Sequence, residues 1–474
     1  MRRSSLAIVL LVLALGPAVL AQTKAPDLPY VTHYRIEADL DTKNHAGEFV
    51  AELRLQNFGK APVREVPLLL YRLFVVDKVE YQGRPAAFHQ AVVADQDDKT
   101  LQVNLVRVTL SPALPPGGSG VVRLKYQGEL HGYTEVWAYV HDTIAPDYSL
   151  LRLDTFFYPV VSLPTAASRY REKRDFTYEV SACVPPGLTV AAGGRPGEPR
   201  SKGKNTCFSF VSLGPTWRID VAAAKFSVKS DPSGQFRAYV LPGHEAGAER
   251  VLEAVQRSTD YYSELFGRPE EVGYTVIEIP NGWGSQASDY YFLQSAAAFE
   301  DPKRISEVYH EIGHGFGVEP AASVQRARFF DEAFASYFES LAVRHFDGEP
   351  AFQEDMDRSR GLFRQWAESD KKYAATPIAE YGLHEMGNLS YSKGAYALFV
   401  LHQLIGDDKF RELVRALRQQ SRAGGLDFRS FQQTAERVAH RPLDRYFQEW
   451  FFGNASSELL LGKQSAEEIV ARYR

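Results

Sequence analysis

The sequence predicts an α+β multidomain protein with a β-rich part followed by a mainly α part, and three observations carry that reading. At 474 residues the chain is longer than one hydrophobic core ordinarily serves. From about 30 to 240 the pattern has period two, in runs such as YRIEADLD, GEFVAELRLQN, LQVNLVRVTL, GVVRLKYQGEL and FTYEVSACV, each bounded by Gly, Pro, Asn or Asp. After AYVLPGHEAG the period becomes helical. The expected division is an N-terminal antiparallel β domain over 25–240 and a second domain over 241–474.

The N-terminus precedes both parts. MRRSSLAIVLLVLALGPAVLAQTK has a basic start at Arg2 and Arg3, an apolar run from Leu6, a Gly16-Pro17 break and small residues before Gln22. This is the pattern of a signal peptide over 1–21, cleaved after Ala21, and it predicts export to a periplasmic or extracellular space. No other segment is long and apolar enough to span a bilayer, so no stable membrane span is expected after cleavage. The net charge is −5, and it becomes more negative when Arg2 and Arg3 leave with the leader. That balance offers no footprint for nucleic acid and points to small molecules or peptides as partners.

In the β part, SPALPPGGSG, VPPGLTV and GGRPGEPR read as turns between strands. The two cysteines, Cys183 and Cys207, lie in successive β-like runs. A cross-strand disulfide and two unpaired apolar thiols both fit them, and their scarcity argues against a cysteine metal site. In the second part, AERVLEAVQRSTDYYSELFG places Val251, Leu252, Val255, Tyr262 and Leu265 on one helical face and stops at Gly267. A β run, GYTVIEIP, follows, then helices over about 304–317, 331–346, 392–405, 407–420 and 428–438.

The chemistry centres on VYHEIGHGFGV. Residues four apart share a helix face, so the imidazoles of His310 and His314 converge while Glu311 projects beside them. Zinc accepts two neutral imidazoles and a carboxylate, and a catalytic zinc keeps its fourth position for water. Glu311 is then placed as the general base. By chance, roughly two or three such chains per hundred contain this string, so context decides. FFDEAFASYFES offers Glu332, either a third ligand or a solvated acid at a helix start. Asp331 and Glu339 are candidates to accept from the outer nitrogens of the histidines, with Glu339 two helical turns beyond Glu332. Tyr391, just before an apolar helix, is a candidate oxyanion donor; on spacing alone it reads more readily as a core or surface tyrosine. Lys393 reads as a solvated lysine at a helix start. His384 and Glu385 read as surface, and His345 and His402 as structural.

Three segments together resemble the gluzincin metallopeptidases typified by aminopeptidase N and leukotriene hydrolase. HEIGH at 310–314 resembles their HExxH, DEAFASYFE at 331–339 their N-E-G-F-A-x-Y-x-E, and YSKGAYAL at 391–398 their Y-x-K-G. LPYVTHYRIEADLDTKNHAGEFVAELRLQN, FTYEVSACVPPGLTVAAGG, WRIDVAAAKF and LDRYFQEWFFG extend the likeness over nearly all of the mature chain. The resemblance implies a saddle-like β-sandwich first domain and a thermolysin-like catalytic domain. It also implies one Zn²⁺ per chain held by His310, His314 and Glu332, Glu311 as base, and Tyr391 as transition-state donor.

Three departures qualify it. The spacing from His314 to Glu332 is one residue shorter than is usual, and the chain ends soon after the matched catalytic segment, so a more open cleft without the family's C-terminal helical domain is expected. The family's G-x-M-E-N strand, whose glutamate grips the substrate amine, corresponds to IPNGWGSQASDYYFLQSA. Neutral Gln286 falls at the glutamate's place, and it accepts a hydrogen bond from an ammonium without neutralising it. Asp289 is the nearby carboxylate that would substitute. The expected function is an exported zinc metallopeptidase, aminopeptidase-like on short peptides. Its alternatives are a peptidase without a strict free N-terminus requirement and a weakly active peptide-binding protein on the same fold.

Overall fold

The computed structural model describes residues 28–132, 140–169, 175–267, 273–422 and 424–474. The signal-peptide pattern over 1–21 lies outside them.

The β-rich part is built on long alternating strands. Tyr30–Asp41, Ala46–Gln56, Ser119–Glu129 and Phe74–Tyr81 run antiparallel side by side. In the first of these Tyr34, Ile36, Ala38 and Leu40 point into the core while their neighbours face outward. The expectation of an antiparallel sheet fails at one place: Tyr30–Asp41 also pairs parallel with Thr177–Val184. These strands are far apart in sequence, so no hairpin forces an antiparallel return. Thr177–Val184 pairs in turn with Asn205–Val211, where Cys183 faces Cys207 and the two form a disulfide.

The second part begins on a mixed five-stranded sheet. Phe236–Val240, Tyr274–Ile279 and Tyr291–Ser295 are parallel, with Ser227–Ser230 and Gln286–Ala287 antiparallel at the edges. Helix α1 (Glu245–Phe266) is the crossover between the first two parallel strands, capped at Gly267 as its sequence predicts. The sheet is buried on both faces. Phe236, Ala238, Val240, Val276 and Phe292 pack into the helical core, whereas Tyr239, Ile277, Ile279, Tyr291 and Leu293 pack into the core of the β-rich part. All six residues of YTVIEI are accordingly buried, Thr275 and Glu278 included. Because Phe236–Val240 pairs into this sheet, we propose that the second domain starts ahead of residue 241, with the turn after Val221–Ala224 as the division.

Helices α2 (Ser306–His314), α3 (Phe334–Asp347), α4 (Glu349–Ser369) and α5 (Lys393–Ile405) follow, with Asp407–Ser421 and Phe428–Ala439 beyond them. Helix α4 is absent from the sequence-based expectation. Its buried face is thin, at Phe352, Met356, Phe363 and Ala367, and two of its buried positions are the charged Asp355 and Arg360. Arg360 is satisfied there by the carbonyls of Leu459, Leu460, Gly462 and Gln464 at 2.7 to 2.9 Å. Among the described residues no helix is long and apolar enough to cross a membrane.

On α5, His402 is buried, with Nδ1 2.7 Å from the Tyr337 hydroxyl and Nε2 2.8 Å from Asp407 Oδ1. A neutral ring meets both contacts, accepting from Tyr337 and donating to Asp407. Burial pushes the imidazole down to about 4, against the pull of Asp407. The folded value lies below the unfolded one of 6.5, so this contribution to stability is complete above pH 6.5 and is lost as pH falls toward 4. The full loss is roughly 3 kcal/mol at about 1.4 kcal/mol per pH unit. Urea unfolding of His402→Gln should therefore show a flatter decline between pH 6.5 and 4 than the parent; equal slopes would contradict a neutral buried ring.

Candidate metal centre and active site

The predicted ligands come from two helices in close contact. Helix α2 carries His310 and His314, and a π-helical turn, Phe329–Ala333, leads into α3 and carries Glu332. Such turns recur at functional sites because the extra residue re-aims a side chain. A Cβ on Gly313 would stand 3.3 Å from the Ala335 carbonyl oxygen and 3.5 Å from Phe338 Cβ, so the glycine lets α3 approach. The Tyr262 hydroxyl lies 3.1 Å from the carbonyl of Tyr309 and 2.9 Å from that of Phe338, bridging the two backbones beside the site.

One ligand atom from each of His310, His314 and Glu332 lies within 4.8 Å of the others. Glu332 Oε2 is 3.3 Å from His310 Nε2 and 3.7 Å from His314 Nε2. The outer nitrogens have carboxylate partners: His310 Nδ1 is 3.3 Å from Glu339 Oε2, and His314 Nδ1 is 2.8 Å from Asp331 Oδ1. Such partners fix the ring orientation and leave Nε2 to face inward. The site thus brings together all five of the residues expected at the metal or behind it. Burial alone would lower both imidazoles; these carboxylates outweigh it and hold them above their usual value.

Glu311 is buried beside the pair, and its Oε2 has no hydrogen-bond partner. Burial raises its carboxyl to about 7, against the charges of His310 and His314. Two inward imidazole nitrogens, one carboxylate and an unpartnered carboxylate alongside fit a zinc ion and the water it would hold. Tyr391 ends a 3-10 turn, Gly387–Tyr391, and its ring lies over His310, with centroids 5.9 Å apart and planes at 14°. Tyr391 is 37% exposed, yet its phenol is held well above its ordinary value, first by loss of solvent and then by Glu332.

The motif around Tyr391 differs from expectation. Lys393 is fully buried, its Nζ 2.9 Å from Ser457 Oγ, and burial lowers its amine to about 7. A Cβ on Gly394 would stand 2.9 Å from Ala333 Cβ, so this glycine lets the start of α5 rest on the turn that carries Glu332. Arg328 was not anticipated from sequence. Its guanidinium pairs with Glu332 Oε1 and reaches Asp331 Oδ2 at 3.4 Å.

Gln286 lies in the edge strand that packs against α2. Its Oε1 accepts from Arg218 Nη2 at 2.9 Å and from Arg152 Nη1 at 3.3 Å, two buried arginines of the β-rich part. Arg152 is gripped by Asp142 at 2.7 Å and donates to the Trp283 carbonyl at 2.9 Å, which braces the loop before Gln286. Arg218 pairs with Asp220 at 2.7 Å and Asp154 at 3.0 Å. Among the described residues, the carboxylates of Asp142, Asp154 and Asp220 meet these two guanidiniums. Asp154 is the most exposed of the three, at 19% of its side chain. Burial would raise it; Arg218, Arg152 and the Gln286 amide hold it below its usual range. No sequence signal marked this cluster, because its charged members come from separate loops and a 3-10 turn. Asp289 is exposed at the turn after Gln286–Ala287, where its charge acts on Tyr178 and Tyr274.

No family model matches the sequence. A curated relative, the probable aminopeptidase 2 of Sulfurisphaera tokodaii, is 21% identical over 253 residues, half of this chain and 32% of the relative. The chain therefore spans about a third of that relative's length. Among solved structures, the M1 zinc metallopeptidase of Deinococcus radiodurans, in a mutant form bound to a Tyr-Ser-Ala substrate, superposes with a TM-score of 0.68 at 16% identity. That match covers 91% of this chain and 95% of the other. Native yeast LTA4 hydrolase gives 0.70 at 14% identity, covering 90% of this chain and 68% of the hydrolase. Over the described residues, this chain has the fold of the M1 zinc metallopeptidases and of LTA4 hydrolase.

Proposed function

We propose that the protein is an exported zinc metallopeptidase that removes residues from the N-terminus of short peptides. The observation that carries this is the convergence of His310, His314 and Glu332 with Glu311 alongside, on the fold just described. His310 and His314 would bind through Nε2 and Glu332 through Oε2. A zinc ion held there supplies Lewis acidity to the scissile carbonyl and the attacking water. Glu311 takes the proton of that water and delivers it to the leaving amine, and burial keeps its affinity for the proton near neutrality. Tyr391 donates to the oxyanion from above His310. The leader pattern and the Cys183–Cys207 disulfide support export.

The preference for a free amine rests on the ionic cluster. Gln286 is occupied by two arginines, so it serves to hold the loop, and Asp154, whose side chain is the most exposed of the three carboxylates, is the anchor for an ammonium. A peptidase indifferent to the N-terminus is the second reading, favoured by the absence of a carboxylate at position 286.

Glu311→Gln should retain zinc and lose about 10²- to 10⁴-fold in turnover of a peptide library; parent-rate cleavage would remove Glu311 from the mechanism. Asp154→Asn should cost roughly 10- to 100-fold in kcat/KM on free peptides, the value of a charged hydrogen bond, and nothing on N-acetylated ones. An equal loss on both would rule out the amine anchor. Gln286→Ala removes one acceptor from each of two buried guanidiniums and should lower stability by about 1–3 kcal/mol while shifting both substrate sets alike; a selective loss on free peptides would instead make Gln286 the amine contact.

A further inference from the structure

Arg328 stands one helical turn before Glu332 with φ 55° and ψ 13°, a left-handed conformation that glycine or asparagine takes more readily than arginine. The Glu332 N–H donates to the Arg328 carbonyl at 2.8 Å, so both side chains leave the same turn. From there the guanidinium meets three groups, each of which also borders the metal position. It pairs with Glu332 Oε1, while Glu332 Oε2 faces both histidines. It reaches Asp331 Oδ2 at 3.4 Å, while Asp331 Oδ1 takes His314 Nδ1 at 2.8 Å. Its carbon lies 5.8 Å from the centroid of Tyr391, whose ring stacks on His310.

The surroundings are shaped to admit this side chain. Gly387 opens the turn that ends in Tyr391, and a Cβ there would stand 3.0 Å from Arg328 Cγ. The same turn is fastened to the preceding residue by Ser390 Oγ donating to the Ala327 carbonyl at 2.8 Å. The left-handed backbone and the missing Cβ both serve to bring one guanidinium over two carboxylates.

We propose that Arg328 is a positioning residue of the metal centre: by occupying Glu332 Oε1 and bridging to Asp331, it presents Glu332 to the ion through one oxygen only. A carboxylate with both oxygens free can turn to chelate, which fills the position that a catalytic zinc keeps for water. Both contacts come from Nη2, whose two N–H groups are fixed in the guanidinium plane, whereas a lysine ammonium turns freely as a single point of charge. The inference rests on His310, His314 and Glu332 being the ligands, and its test reads metal coordination, independently of peptide cleavage.

Cobalt(II) substituted for zinc gives intense visible bands when four-coordinate and weak ones when five-coordinate. Arg328→Met, similar in length and uncharged, should weaken those bands and lower zinc affinity about 10- to 100-fold in competition with a chromophoric chelator. Arg328→Lys should also weaken the bands, with a smaller change in affinity. If Arg328→Met fails to fold, the cobalt spectrum of Arg328→Lys decides alone. Parent-like bands and affinity in Arg328→Met, or a parent-like spectrum in Arg328→Lys, would overturn the proposal. A parent protein that binds cobalt with intense bands and cleaves no peptide contradicts the function proposed above and leaves this inference standing.

Discussion

Side chains on two different helices can share one ion only where the backbones come close, and the α-rich half of this protein is arranged around that constraint. Gly313 admits Ala335 and Phe338 against α2, and Gly394 admits Ala333 against the start of α5. Gly315 adds a third close approach, since a Cβ there would stand 2.5 Å from the Tyr274 hydroxyl. These contacts bring the histidine helix, the Glu332 turn and the Tyr391 turn together. A methyl group at any of the three would have to push against a packed neighbour, which native packing density does not absorb. The apolar core beneath them, with Phe316, Phe330, Phe334 and Phe338, keeps the arrangement rigid enough for a site whose tolerance is a fraction of an ångström.

Charge is organised in the same layered way. The imidazoles face one carboxylate inward and rest on two others outward, so a bound metal would replace favourable contacts with stronger ones. The β-rich part contributes through Arg152 and Arg218, which reach across to the loop and edge strand beside α2. It is thus joined to the site both by the shared sheet and by hydrogen bonds from buried, ion-paired arginines. Buried pairs of this kind add little net stability but penalise any other register of the loop strongly.

How much of this was legible in sequence depends on whether the signal is local. The HEIGH spacing, the helical period of α1 and the alternation of the long strands are local, and the structure follows them. Asp331 and Glu339 were nameable because metal-bound histidines need acceptors and only helix geometry links them to Glu332. Arg328 was not legible: nothing marks an arginine for left-handed backbone, and its reach to Glu332 follows from that conformation. The Asp142, Asp154 and Asp220 cluster depends on contacts between loops far apart in sequence, which no local pattern marks. Lys393 was misjudged because a charged residue at a helix start is normally solvated, whereas here Ser457 and the ring of Phe363 enclose it. Helix α4 was missed because buried Asp355 and Arg360 interrupt its apolar stripe.

The central claim is that three side chains hold one catalytic zinc. It is tested most directly by metal stoichiometry measured alongside cleavage of a peptide library, before and after chelation and on adding zinc back, with His314→Ala as the control. The account predicts one zinc per chain, cleavage that disappears with the metal and returns with it, and a His314→Ala protein that is folded, metal-poor and inactive. Undiminished cleavage by the metal-free protein, or full zinc content in His314→Ala, would contradict it.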